Sequence, residues 1–140
     1  MSRRKFLEAM GGAALAWPLA VAAQQPDRLR TVGVIFAATA DDAEVQARLA
    51  ALREGMAQLG WIEGRNLRLD IRWATTNPDL VRKHAAELAA LSPDVIVSGS
   101  GTTTTALLLE ATRTVPIVFA IVVDPVGAGF VSSLAYPGGN

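Results

Sequence analysis

Asp94-Val95-Ile96-Val97-Ser98-Gly99-Ser100-Gly101, followed by Thr102-Thr103-Thr104-Thr105 and then Ala106 to Ala111, is the segment around which the rest of this 140-residue chain arranges itself. Asp94 to Val97 is a short, apolar run that follows Ser92-Pro93 and reads as a strand. The glycines and serines form a turn, and beyond the fourfold threonine run Ala106 to Ala111 continues as a helix. A strand, a tight turn and a helix in succession form half of a β-α-β unit. Upstream, Thr31-Val32-Gly33-Val34-Ile35-Phe36 is another nearly continuous apolar strand. Asp41 and Asp42 then offer helix caps, and Val45, Leu49, Leu52, Met56 and Leu59 recur at three- and four-residue spacing up to a C-capping Gly60. Leu67 to Trp73 alternates strictly, which predicts a strand with one solvated face at the sheet edge. Asn77-Pro78 opens a further helix through Leu80, Val81, Ala85, Leu88 and Leu91. Downstream, Pro116 to Val123 reads as a fourth strand, and Phe130, Val131 and Leu134 as a fourth helix begun near Gly129. Parallel strands need crossover helices, so the expected class is α/β with a doubly wound parallel sheet.

The composition narrows the functions open to such a fold. With no cysteine, the chain has no disulfide, thiolate metal site, cysteine nucleophile or lipid-modified anchor, and one histidine excludes a two-His zinc pattern. The 13 basic and 13 acidic side chains balance, which removes the basic footprint of a nucleic-acid binder. No metal, cofactor or nucleic-acid partner is expected.

The hydrophobic excess, 51% of residues, lies partly at the start. Ser2-Arg3-Arg4-Lys5-Phe6-Leu7 precedes a weakly apolar stretch from Ala9 to Ala23 that is broken by Gly11, Gly12 and Pro18. That stretch is too short to span a membrane and reads as a cleavable export signal ending in Val21 and Ala23. It resembles twin-arginine signals, with Glu8 where lysine is usual, and implies export by the Tat translocase. Residues 1–23 are therefore assigned to the signal and residues 24–140 to the mature domain, which carries 10 basic and 12 acidic side chains. No cysteine follows the signal, so the expected product is periplasmic and free of a lipid anchor.

Ligands of open α/β sheets bind beyond the carboxyl ends of the strands, here the loops Phe36 to Thr39, Ser98 to Thr103 and Asp124 to Val126. In the second loop Gly99 and Gly101 allow close backbone approach, Ser100 and Thr102 supply hydroxyls, and the first helical amides favour a carboxylate or phosphate. The plainer reading is a turn with a threonine cap. Enzyme signatures are missing from these loops: Gly33 stands outside any G-x-G-x-x-G, Ser100-Gly101-Thr102 lacks the P-loop lysine, and no G-x-S-x-G elbow occurs. His84 sits in mid-helix beside Lys83, where a surface or packing role fits best. Asp124-Pro125 suits a turn as well as an acid, with no second carboxylate evidently paired to it. Trp61 and Trp73 read as packing residues, and Arg65, Arg68 and Arg72, interleaved with Glu63 and Asp70, as a solvated face.

Several segments taken together resemble one family: Leu59-Gly60-Trp61, Glu63-Gly64-Arg65-Asn66, Arg72-Trp73-Ala74, Ala86-Glu87-Leu88, Asp94-Val95-Ile96-Val97, Val115-Pro116-Ile117-Val118-Phe119, Asp124-Pro125-Val126 and Pro137-Gly138-Gly139-Asn140. They look like the ABC-transporter substrate-binding proteins of the tryptophan/aromatic amino-acid type, within the type I periplasmic-binding-protein fold. The resemblance implies a flavodoxin-like strand order and a periplasmic receptor without catalysis. Such a receptor captures a small, amino-acid-like solute and hands it to an ABC permease in the inner membrane. By matching segments, the implied solute contacts are Phe36, Ala37, Ser100, Gly101, Thr102, Thr103 and Asp124, with hydroxyls and amides on the solute carboxylate and Asp124 toward an ammonium group. The family loop usually runs Gly-Thr followed by Pro or Ala, and here four threonines occupy it. Family members continue past Pro-Gly-Gly-Asn into a second lobe, so the expectation is a truncated chain, a first lobe with its export signal. The alternatives are an exported α/β enzyme, a hydrolase or reductase whose catalytic residues lie in a missing C-terminal part, or a non-functional remnant.

Overall fold

The computed structural model describes residues 28–140, and the export signal read at residues 1–23 lies outside them. Strands β1 (Arg30–Phe36), β2 (Leu67–Trp73), β3 (Val95–Ser98) and β4 (Ile117–Phe119) alternate with helices α1 (Ala43–Gln58), α2 (Pro78–Ala90) and α3 (Thr102–Ala111). The sheet has the order β2-β1-β3-β4, and every pair is parallel. This is the expected doubly wound architecture, with β2 at one edge.

β1 sits between β2 and β3, and its apolar run reflects burial from both sides. Val32, Val34 and Phe36 join Val45 and Leu49 of α1 in one core, while Ile35 joins Val81, Ala85 and Leu88 of α2 and Leu107 and Leu108 of α3 in another. Gly33 is needed for the second: a Cβ there would stand 3.2 Å from Leu88 Cδ2 and 3.3 Å from Ile96 Cγ1, so α2 can come down close to the sheet. Burying a leucine such as Leu88 completely stabilises the fold by about 1.5–3 kcal/mol.

The helix ends follow the residues that were read as caps. Asp42 accepts from the amides of Glu44 and Val45, and Asn77 from those of Asp79 and Leu80. α1 closes with Gly60 at φ +87°, its N–H donating to Ala57 O and the Trp61 N–H to Met56 O, the paired bonds of a Schellman ending. At the amino ends of the strands, Asp94 accepts from Arg30 Nη1 at 2.7 Å and from the Thr31 amide at 2.9 Å, tying β1 to the start of β3.

Three expectations change. β4 covers only Ile117–Phe119 instead of Pro116 to Val123, because its neighbour β3 ends at Ser98 and nothing remains for Ile121 to Val123 to pair with. Val123 is 96% exposed. The helix expected near Gly129 is a single turn, with Ala128 N–H bonded to Asp124 O and Phe130 N–H to Pro125 O. Gly129, at φ +73°, ends that turn where it was expected to begin a helix. Finally, α3 starts at Thr102, so the threonine run is its first turn, and Thr104 and Thr105 are buried.

Candidate functional site

Because β1 and β3 are neighbours, the loops leaving their carboxyl ends run side by side, and one side chain joins them. Ser100 Oγ accepts the Ala37 N–H at 2.9 Å, which leaves the Ser100 hydroxyl proton free to donate elsewhere. Below it lies a buried hydroxyl pair, Ser98 and Thr105, with oxygens 2.9 Å apart. Their two protons serve three contacts, the bond between them, Ser98 to Ser100 O at 3.0 Å and Thr105 to Gly101 O at 3.2 Å, so the pair shapes the loop.

The loop ends in Gly101, the N-cap of α3, and no side chain caps this end. The first amides of the helix, from Thr102 on, lack intrahelical acceptors and carry the positive end of its dipole. The backbone comes close here: a Cβ on Gly101 would meet Ile121 O at 3.4 Å.

Over this end opens a cleft of about 370 Å³, lined by Ala37, Thr76, Pro78, Val81, Ser100, Gly101, Thr102, Thr103 and Thr104. None of these side chains is charged, so the cleft offers hydroxyls and amides on its polar side and Ala37, Pro78 and Val81 on its apolar side. A larger hollow of about 440 Å³, framed by Phe119, Phe130, Val131 and Pro137, shares none of these residues.

Of the residues expected to touch a solute, Ala37, Ser100, Gly101, Thr102 and Thr103 meet in this one cleft. Phe36 does not line it and packs in the core on the α1 side, 3% exposed, with its ring against Gly99 and stacked on Trp73 at 5.2 Å between centroids. Asp124 does not line the cleft, and its Oδ1 accepts the Gly127 N–H at 2.8 Å as the cap of the turn that follows β4. His84, on α2, is bonded to Glu87 at 3.1 Å, and Arg72 Nε reaches the same carboxylate oxygen at 3.2 Å. Those two bonds hold the Glu87 carboxyl below its ordinary range. In the loop after β1, Asp41 is likewise lowered by the Thr39 hydroxyl. Among the described residues no group of three or more acidic or histidine side chains could hold a metal ion.

The loop after β2 is absent from the candidate site loops named from the sequence, yet Thr76, Pro78 and Val81 also line the cleft. Its signal was present. Thr75-Thr76-Asn77-Pro78 follows the carboxyl end of a parallel strand, and the rule that pointed to the other loops applies to it equally.

The family described as ABC transporter substrate binding protein matches residues 31–140. A tyrosine-binding protein of Clostridioides difficile (strain R20291) is 33% identical over 81 residues, which make up 58% of this chain and 23% of that protein. Among solved structures, a conserved domain protein from Vibrio cholerae is 35% identical and superposes with a TM-score of 0.73, covering 81% of this chain and 37% of the other. A domain from Streptococcus pneumoniae in complex with L-Trp shares the fold at a TM-score of 0.71 and 24% identity, over 79% of this chain and 36% of its own. A ligand-free, open substrate-binding protein with adhesive properties from Clostridium difficile shares it to the same extent. The chain thus spans between about a quarter and a little over a third of the length of these relatives. The family match runs from β1 to the last residue, and the chain belongs to the ABC transporter substrate-binding proteins.

Proposed function

We propose that residues 24–140 form the solute-capturing lobe of an extracytoplasmic receptor that delivers an amino-acid-like solute to the permease of an ABC importer. One observation carries this reading. The uncapped start of α3, the free Ser100 proton and the hydroxyls of Thr102 and Thr103 face one uncharged cleft, a set of donors matched to a carboxylate. The relatives named for tyrosine binding and for an L-Trp complex point to the same solute class. Export would use the Arg3-Arg4 signal through the Tat translocase and release a periplasmic, untethered protein. Arg3→Lys with Arg4→Lys should then keep a fused reporter inside the cell, and export persisting in that variant would count against the Tat route.

Titrating the 140-residue chain with L-tyrosine and L-tryptophan, followed by amide chemical shifts, tests the binding reading. The expected result is shifts at Ala37, Ser100, Thr102 and Thr103 with a Kd weaker than about 1 μM, since one lobe covers only one side of a solute that two lobes would enclose. No response at these amides with either amino acid, or with the other common amino acids, refutes the assignment.

A further inference from the structure

We propose that Thr76 is a specificity-determining contact for the solute and that Thr75 is the residue that positions it, an inference that rests on the solute-binding reading above. Thr76 stands in the cleft opposite no charged group and shares it with Ser100, Thr102 and Thr103. It reaches that place through an unfavourable backbone: Thr75 has φ +49°, a left-handed conformation that β-branched residues rarely adopt. Several bonds hold it there. The Thr75 N–H donates to Ala38 O at 3.3 Å, and Thr75 Oγ1 accepts the Asn77 N–H at 3.4 Å. The buried Ala74 donates its N–H to Phe36 O at 2.8 Å. The loop after β2 is thereby fastened to the loop after β1, which bears Ala37 of the same cleft. A plain link between a strand and a capped helix needs no such conformation, and strain of this kind persists where the surroundings require it, as around binding sites. With no charge in the cleft, selection among solutes depends on width and on where hydroxyls donate, and Thr76 contributes to both from the loop after β2.

The test uses the 140-residue chain with L-tyrosine and L-tryptophan as probes. In the unchanged protein the Thr76 amide should shift together with those of Thr102 and Thr103. Thr76→Val, which keeps the shape and removes the hydroxyl, should weaken binding about three- to tenfold with the melting temperature unchanged. Thr75→Pro, whose ring forbids the left-handed turn, should abolish the response at residue 76 while that at Thr102 remains, and Thr75→Asn, which tolerates the turn, should restore it. If Thr102 and Thr103 respond but Thr76 does not, and Thr76→Val binds as the unchanged protein does, the inference is overturned while the solute-binding reading stands. If no amide of the cleft responds to either probe, both fall.

Discussion

The ring of Phe36 lies so close to Gly99 that a Cβ on Gly99 would overlap it, and the same ring stacks on Trp73 with ring planes 18° apart. Glycine at this position lets the loop after β3 lie on the end of β1, and so fixes the height of Ser100 and Gly101 above the sheet. Gly99→Ala should therefore force the ring aside and cost about 1–3 kcal/mol, read as a lower melting temperature. Combining it with Phe36→Leu should recover part of that loss. A Gly99→Ala variant as stable as the parent would show that the ring is not held in place.

Ser100 joins two loops through one hydroxyl. Ser100→Ala removes the acceptor for the Ala37 N–H and should destabilise the protein by about 1–2 kcal/mol, with faster hydrogen exchange at Ala37 as the specific sign. Thr102→Val, by contrast, removes an exposed hydroxyl at the start of α3. It should leave melting unchanged and weaken solute binding by about 1–3 kcal/mol where the hydroxyl is buried against the solute, as a calorimetric titration would register.

Asp124 acts in the structure as a cap. Asp124→Ala should lower stability by about 0.5–2 kcal/mol, whereas Asp124→Asn, which keeps an oxygen for the Gly127 N–H, should melt close to the parent. Equal losses in the two variants would point to the charge and not the hydrogen bond.

Acid should weaken the fold through Asp94. The Thr31 amide and then the Arg30 guanidinium hold its carboxyl below the ordinary value of 3.8. A carboxyl whose pKa is lowered by folding binds its proton more readily in the unfolded chain, so its contribution is present above pH 3.8 and is lost as pH falls through the folded value. Thermal melts from neutral pH down to about pH 2 should show this decline, and Asp94→Asn should flatten it while lowering stability at neutral pH. Parallel curves for the two proteins would assign the acid sensitivity to other carboxylates.

The edge position of β2 and the two-sided core follow from short-range patterns, whereas the strand order was implied only by the family resemblance. Val32, Val34 and Ile35 in one apolar run require cover on both faces, and alternation from Leu67 to Trp73 puts that strand at an edge. Asp42, Asn77 and Gly60 mark helix ends through hydrogen bonds made within a few residues, so their effects can be read along the chain. That the loops after β1 and β3 come together was legible for a similar reason, since strand ends in a parallel sheet share one edge. What apolar character alone could not fix was the length of β4, because a strand persists only as far as its neighbour offers partners, and Ser98 is the last of β3. Nor could it separate Phe36 and Asp124 from the cleft, since Phe36 ends β1 and Asp124 follows β4, but Phe36 packs against Gly99 and Trp73 and Asp124 caps the turn after β4. The place of Thr76 was likewise decided in three dimensions. Its left-handed neighbour Thr75 is stabilised by Ala38, far from it in the chain, and only the pairing of β1 with β2 brings that carbonyl within reach. The amino-acid sequence by itself thus determined the elements, their caps and the edge of the sheet at which the cleft opens. Which side chains meet there was left to the packing of distant segments, because hydrogen bonds and steric contacts between loops depend on distances that only the assembled sheet establishes.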